Sequence, residues 1–366
     1  MTSVDGSGRN SLTILDVNYT INMTPTKINF KPKAVVKRLL SVLPERARDI
    51  LQSRYGLGDR VEHMTLEAIG KVYKITRERV RQIENYAFGV IRKSEGYKKE
   101  KEALLELEHF IDSLGGVVHE EDFLRYVSDD ESIQNHTHFL LVLGDSFKKG
   151  KEDPDFHKRW YVSEQTLAQI ENSIQEIYKN LSDDDLIPES EMIASFLEAV
   201  KDVSDKYKNE EVVRRWLSLS KKIGRNQLGE WGVSRSPNIK AKGMRDYAYL
   251  TIRRHGSPMH FTEVAKAIQK LFDRTAHVAT CHNELIKDSR FVLVGRGLYA
   301  LSEWGYSEGV VKDVITQLLK KNGPLTKSEI VERVMKERYV KENTIVVNLQ
   351  NPKFFKKSKD GKYSLA

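Results

Sequence analysis

Cysteine is nearly absent from this chain, since Cys281 is the only one among 366 residues. A single thiol excludes an intramolecular disulfide framework and any zinc site built from several thiolates. It is typical of a reducing, intracellular compartment. Long apolar runs are also missing, and the first ten residues do not join a basic stretch to an apolar one. Neither a membrane span nor an export signal is predicted, and we expect a cytoplasmic protein.

Catalytic motifs are equally scarce. The sequence has no phosphate-binding glycine loop, nucleophile elbow or kinase motif. His277, Cys281 and His282 lie close together on a predicted helix, but the further ligands that a metal site needs are missing. Asp155 and Lys158 resemble a fragment of a nuclease motif that lacks its second acidic residue. The sequence therefore predicts a binding protein with no catalytic residue, cofactor or metal, and not an enzyme.

The net charge of +8 is the remainder of three blocks of opposite sign. Residues 1–100 carry +8, residues 101–230 carry −12 and residues 231–366 carry +12. Basic surfaces attract phosphates and acidic surfaces repel them. We therefore expect nucleic-acid contacts near the two ends. The acidic middle is expected to space the ends apart or to meet a basic protein surface.

Helical spacing begins after a segment, residues 1–30, that we predict to be a flexible leader. A first helix is predicted through the apolar residues up to Leu43, with Pro44 in the first turn of a second helix that ends at Gly56. Two further helices follow. Thr65 is predicted to cap a short helix that buries Leu66, Ile69 and Val72, and Thr76 is predicted to cap a longer one.

A short helix, a tight turn and a longer helix with a polar outer face are typical of a helix-turn-helix. The residue types on the outer face suit base edges, because Arg pairs with guanine, Gln with adenine and Glu with the cytosine amino group. An ordinary solvated helix surface would show the same spacing, so the spacing alone leaves both interpretations open.

The order of these motifs resembles region 4 of the sigma-70 family. The resemblance runs through residues 43–51, 54–57, 65–70 and 76–84, the last of which reads TRERVRQIE. In that family the second helix of the motif reads the −35 promoter element, and the first two helices of the module dock on the β-subunit flap of RNA polymerase. The resemblance thus assigns base contacts to Arg77, Glu78, Arg81 and Gln82. Its candidates for phosphate contact are Arg54, Arg60, Lys71, Lys74, Thr76 and Arg79.

The rest of the chain repeats one layout, three helices followed by a hairpin, which is typical of a winged helix. Residues 244–306 resemble the HARE-HTH domain shared by the polymerase delta subunit, through the stretches 256–261, 290–295 and 298–305. Possible DNA contacts there and in the last copy are Lys287, Arg290, Arg296, Lys357 and Lys359. A solvated basic surface on a protein-binding winged helix remains open as the alternative. Trp160, Trp216, Trp231, Tyr299 and Trp304 are expected to be core residues.

The predicted fold class is mainly α, with a region 4-like helix-turn-helix followed by tandem winged helices that carry small β-hairpin wings. The predicted domains are a leader at 1–30, the region 4-like domain at 31–100, acidic winged helices at 101–163 and 164–236, a basic HARE-HTH domain at 243–307 and a basic winged helix at 308–366.

The predicted function is that of a bacterial, nucleoid-associated transcription factor that binds double-stranded DNA and RNA polymerase core. The helices with which sigma factors grip the polymerase clamp have no room before residue 40, so a complete sigma factor is not expected. Two alternatives stay open: a delta-like subunit that binds polymerase through protein surfaces, and the DNA-recognition partner of a restriction or repair system.

Overall fold

The computed structural model describes residues 28–58, 61–200, 205–306 and 309–366. Most of the predicted leader, residues 1–27, lies outside these ranges. The chain divides into two compact units, Met1–Arg225 with Trp231–Ser234, and Asn226–Glu230 with Arg235–Ala366. Helices dominate both units and all the sheets are small and antiparallel, which confirms the predicted mainly α fold class.

The first unit begins with four helices that end in a helix-turn-helix. Two helices, each with one buried apolar face, come first, and Gly56 ends the second of them in the left-handed conformation, with φ 61°. The next two helices form the motif, and a short helix follows them. In chain order they are α1 (Pro32–Leu40), α2 (Glu45–Tyr55), α3 (Leu66–Tyr73), α4 (Arg77–Lys93) and α5 (Glu95–Lys99).

The acidic middle of the chain supplies the rest of the first unit in two segments of similar element order. The first segment holds α6 (Lys101–Ser113), β1 (Val117–His119), α7 (Glu120–Val127), α8 (Glu131–Leu143), β2 (Lys148–Gly150) and β3 (Arg159–Tyr161). The second holds α9 (Glu164–Asn180), α10 (Glu189–Ala199), α11 (Glu210–Leu217), β4 (Ile223–Arg225) and β5 (Trp231–Val233). β3 is the central strand of the sheet β1-β3-β2, and β4 pairs with β5.

One hydrophobic core joins the N-terminal helices to the first acidic segment. Leu39 and Leu51, from α1 and α2, belong to the same buried cluster as Leu107, Phe139 and Trp160. α1 and α2 both pack on α8. A separate cluster around the fully buried Trp216 and Trp231 fills the second acidic segment. The first acidic segment is therefore a packing partner of the N-terminal helices.

The second unit contains two further segments of helix, strand, helix, helix and hairpin. The first holds α12 (Met244–His255), β6 (Met259–His260), α13 (Phe261–Phe272), α14 (Val278–Lys287), β7 (Phe291–Gly295) and β8 (Leu298–Leu301). The second holds α15 (Val311–Asn322), β9 (Leu325–Thr326), α16 (Lys327–Glu337), α17 (Glu342–Leu349), β10 (Phe355–Lys357) and β11 (Lys362–Leu365). The strand orders are β6-β8-β7 and β10-β11-β9. These are the elements of a winged helix, although the assignment to that family stays a prediction.

Two local predictions were wrong. Val72 is 65% exposed instead of buried, because the inner face of the two-turn helix α3 follows positions 66, 69, 70 and 73, and position 72 points away from it. Leu43 is buried but lies after the end of α1, in the turn that Pro44 closes. The spacing of apolar residues therefore predicted a first helix that is one turn longer than α1.

Candidate nucleic-acid interface

Two threonine caps set the start of each helix in the helix-turn-helix. Thr65 Oγ1 accepts a hydrogen bond from Ala68 N at 3.1 Å, and Thr76 Oγ1 accepts one from Arg79 N at 3.2 Å. Each cap satisfies an amide that the helix leaves without an internal partner. Both caps were predicted from the sequence, and both are confirmed.

The turn between α3 and α4 is tight enough to require particular backbone conformations. Lys74 ends α3 in the left-handed region, with φ 53°. Gly70 faces the turn so closely that a Cβ added there would come within 2.7 Å of the Ile75 carbonyl oxygen. A side chain at position 70 would therefore push α3 away from the turn.

A small core fixes α3 against α4. Ile50 from α2, Ile69 from α3 and Val80 from α4 are each 0% exposed and form one cluster. Tyr73 and Ile75 pack against its edge. This core holds the outer face of α4 at a set angle to the rest of the unit, and rigid support of that kind is what base readout requires.

The outer face of α4 presents the predicted base-contact residues to solvent, and they pair with one another. Arg81 Nε and Nη2 donate to the two carboxylate oxygens of Glu78 at 2.9 and 2.7 Å. Arg79 Nη1 donates to Gln82 Oε1 at 3.1 Å. The hydrogen bond from Arg81 holds the pKa of Glu78 below its usual range. Arg77 is exposed at the first position of the helix.

The geometry described so far coincides with a known family over one part of the chain. The family model described as "Sigma-70, region 4" matches residues 39–93. This segment is a sigma-70 region 4 domain. Region 4 therefore extends from the last turn of α1 to the end of α4 and contains the whole helix-turn-helix.

Curated relatives match the same part of the chain. The RNA polymerase sigma factor RpoD of Helicobacter pylori is 45% identical over 60 residues, which are 16% of this chain and 9% of the relative. SigA of a Nostoc species is 46% identical over 57 residues, 16% of this chain and 14% of the relative. SigA of a Bacillus species is 40% identical over 72 residues, 20% of this chain and 19% of the relative. The chain thus spans less than a fifth of the length of each of these relatives.

The predicted phosphate contacts of region 4 differ in their surroundings. Lys71 is 78% exposed and lies 3.3 Å from Glu67. Lys74 is exposed at the turn. Arg54 is instead engaged within the domain, since its Nη1 donates to the Met64 carbonyl at 3.0 Å. Arg60 lies outside the described residues.

An amide from α8 holds the loop that leads into the helix-turn-helix. Asn135 Nδ2 donates to the Val61 carbonyl at 2.8 Å and to the Gly56 carbonyl at 3.3 Å. Asn135 Oδ1 lies 2.7 Å from His63 Nε2. These partners are more than 70 positions apart in the chain, so no local pattern in the sequence could have identified them. The first acidic segment therefore helps to position region 4.

A partly buried polar network lies beside this loop. Glu120 Oε2 accepts from Lys149 Nζ at 2.5 Å and from Trp160 Nε1 at 2.8 Å. His138 Nε2 lies 3.6 Å from the same carboxylate and 3.5 Å from the Lys149 ammonium group. Burial lowers the pKa of His138 to about 4. Burial alone would raise the pKa of Glu120, but the hydrogen bond from Lys149 and the nearby positive charge hold it below its usual range.

The candidates in the second unit fall into two groups. Lys287, Arg296, Lys357 and Lys359 are exposed at a helix end, a hairpin turn and the last hairpin. Arg290 is engaged instead, because its Nη2 donates to Asp288 Oδ2 at 2.7 Å and to Asp246 Oδ1 at 3.1 Å. Arg290 is therefore tied to two carboxylates, whereas the other four present their charge to solvent.

The described residues offer neither a cluster of metal ligands nor a helix suited to span a membrane. No three His, Cys, Asp or Glu side chains cluster as a metal site within the described residues. His282 stacks on Phe261 with a centroid distance of 4.1 Å. Cys281 is buried, and burial raises the pKa of its thiol to about 11. No helix in the described ranges has the length and apolar content that a bilayer crossing requires.

Proposed function

We propose that this chain regulates transcription by placing α4 of region 4 in the major groove of promoter DNA that resembles a −35 element. The observation that supports this most is the exposed outer face of α4, held by capped helices and a small core, within a segment that matches sigma-70 region 4. In this proposal Arg77, Glu78, Arg81 and Gln82 read base edges. Lys71, Lys74, Thr76 and Arg79 contact phosphates, and Arg54 and Arg60 are the remaining candidates for phosphate contact.

The pairing within the outer face bears on selectivity. Arg81 must leave Glu78, and Gln82 must leave Arg79, before either can make a full contact with a base. A DNA site of matching sequence supplies base contacts that replace both of these internal hydrogen bonds, whereas a mismatched site leaves some of the side chains without a hydrogen-bond partner. Discrimination therefore comes partly from the contacts that the free protein gives up.

A binding assay on a randomised promoter library tests this readout. Arg77→Ala and Gln82→Ala should each weaken binding to the preferred sequence by about 5- to 150-fold, the range expected when one bidentate pair with a base is removed. Preference at one base position should relax as well. Lys93→Ala is the matched control, because Lys93 is exposed on the last turn of the same helix. Unchanged affinity and unchanged preference in both test variants would refute direct readout by α4.

We also propose that the chain binds RNA polymerase core, with the β flap as the contact. α8 packs on α1 and α2, so the flap would meet a part of this helix pair that α8 leaves open, and Val42, in the turn between the two helices, is 39% exposed. Val42→Asp should abolish capture of a purified flap fragment. Val72→Asp, at an exposed valine on α3, should leave capture intact. Equal capture of the flap fragment by both variants would show that Val42 is not at the contact with polymerase and would refute this part of the proposal.

The other four segments are proposed to be winged helices, at 101–163, 164–236, 243–307 and 308–366. Their shared order of helices and hairpins supports this proposal. In the second unit, Lys287, Arg296, Lys357 and Lys359 would add phosphate contacts, with Arg290 the least available of the set. A delta-like polymerase subunit is the second candidate function, and the same element order supports it. Co-purification with core polymerase that survives high salt and nuclease is expected for that candidate, and absence of polymerase would eliminate it.

A further inference from the structure

A basic cleft of about 480 Å³ opens in the second unit where the segment before α12 meets the end of α14. Its inner residues are Asp246, Asp288 and Arg290, whose side chains are 8%, 12% and 29% exposed. Its outer residues include Lys240, Lys242 and Arg245, all of which are exposed. The cleft therefore has charged groups at two depths.

The inner charges are already matched to one another. Asp246 Oδ2 accepts from the backbone amides of Lys242 and Gly243 at 3.2 and 3.1 Å, at the start of α12. Arg290 bridges the other oxygen of Asp246 and the Asp288 carboxylate. Both carboxylates are thus in use, and the inner group carries no surplus of positive charge.

The outer charges are not matched in this way. Within the described residues, Lys240, Lys242 and Arg245 form no ion pair. Arg245 acts on Asp288 only at longer range, where it assists Arg290 in lowering the pKa of that carboxyl. The mouth of the cleft is therefore cationic, while its interior holds two carboxylates.

We propose that the mouth of this cleft binds the phosphodiester backbone of duplex DNA without reading bases. A small anion that entered the cleft would meet Asp246 and Asp288, whereas an extended polyanion lying across the mouth meets only the outer cations. Exposed Lys and Arg side chains suit phosphate contacts, which supply affinity and salt dependence but no sequence information. This site is additional to the base-reading face of α4 and to the proposed contacts of the winged helices.

Binding of the full chain to a labelled duplex of arbitrary sequence, measured across a salt series, tests the proposal. The variant K240E/K242E/R245E should reduce the slope of log affinity against log salt by about 2 to 3, because each phosphate that the protein neutralises contributes about 0.9 to that slope. The matched control is K266E/K270E/K320E, which changes the net charge equally at exposed lysines on α13 and α15. The control should reduce the slope by less than about 1, since its lysines lie outside the cleft.

Three other outcomes would overturn the proposal. Equal slopes for the two triple variants would show that only overall charge matters. Competition by millimolar inorganic pyrophosphate that disappears in the cleft variant would show a small-anion site. No duplex binding by the unmodified chain would remove both this site and the proposed function. Failure of the α4 assignment alone is distinguishable, because Arg77→Ala would then leave sequence preference intact while the cleft variant still lowers the slope.

Discussion

Lowering the pH from 7 to 5 should loosen the packing of α8 against the loop that precedes the helix-turn-helix. The responsible group is His138, a neutral imidazole whose side chain is only 18% exposed and whose Nε2 faces the Lys149 ammonium group at 3.5 Å. Protonation would place a second cation beside Lys149. The Glu120 carboxylate offsets this only in part, because Lys149 is closer to it, at 2.5 Å, than His138 is, at 3.6 Å.

The size of the effect follows from the pKa of His138. Its ordinary value is 6.5, and burial, with smaller effects from Lys149, His63 and Lys158, lowers it to about 4 in the folded protein. A histidine whose pKa is lowered by folding is harder to protonate in the folded state, so stability is retained above pH 6.5 and lost as the pH falls toward 4. At about 1.4 kcal/mol for each pH unit, the loss approaches about 3 kcal/mol below pH 4 and is about 2 kcal/mol at pH 5.

Hydrogen exchange of α8 and of residues 61–64, corrected for the intrinsic pH dependence of exchange, measures this loss. His138→Gln keeps a polar neutral side chain but cannot be protonated, so its opening free energy should fall about 2 kcal/mol less than that of the unmodified chain. His109→Gln, at an exposed histidine on α6, is the matched control and should behave like the unmodified chain. Equal losses in the unmodified chain and in His138→Gln would refute the reasoning.

Three further predictions concern the support of α4. Gly70→Ala should disrupt the turn and weaken sequence-specific DNA binding at least tenfold, because the added Cβ would lie 2.7 Å from a backbone oxygen atom. Gly89→Ala is the control and should bind normally, since a Cβ at that position of α4 meets open space. Equal DNA binding by the two variants would contradict the steric argument. Ile69→Ala should destabilise the small core by about 2–5 kcal/mol, seen as faster exchange in α3 and α4, and unchanged exchange would contradict its burial. Asn135→Ala should speed hydrogen exchange in the loop at residues 61–64 by about 5- to 150-fold, which is equivalent to about 1–3 kcal/mol for the carbonyl groups left without a partner. Gln134→Ala is the control and should leave that exchange unchanged, because the Gln134 amide donates to the Ser128 carbonyl instead.

The sequence predicted well those features that depend on neighbours along the chain. Thr65 and Thr76 act as caps through amides only three residues away, so local spacing sufficed to identify them. Val72 was assigned to the wrong side of α3, because a helix of two turns offers too few apolar positions to define its inner face.

Features that depend on distant residues could not be predicted. Asn135 is hydrogen-bonded to the loop, and Glu120 is paired with Lys149 and His138. Both sets of contacts join positions that only the packing of α8 brings together. The charge blocks predicted that the acidic middle spaces the ends apart or meets a basic protein surface, and they gave no sign that its apolar residues share a core with α1 and α2. Net charge describes the solvent-facing surface, and it does not report which apolar faces are joined beneath that surface.

The shared core also means that the unit of homology and the unit of folding have different borders. The family match stops at residue 93, but the buried cluster that begins with Val35 continues to Trp160. A fragment cut at the border of the match would expose the sides of α1 and α2 that now face Phe139 and its neighbours. The folding unit that carries region 4 therefore includes the first acidic segment, and a substitution in the shared core affects both parts.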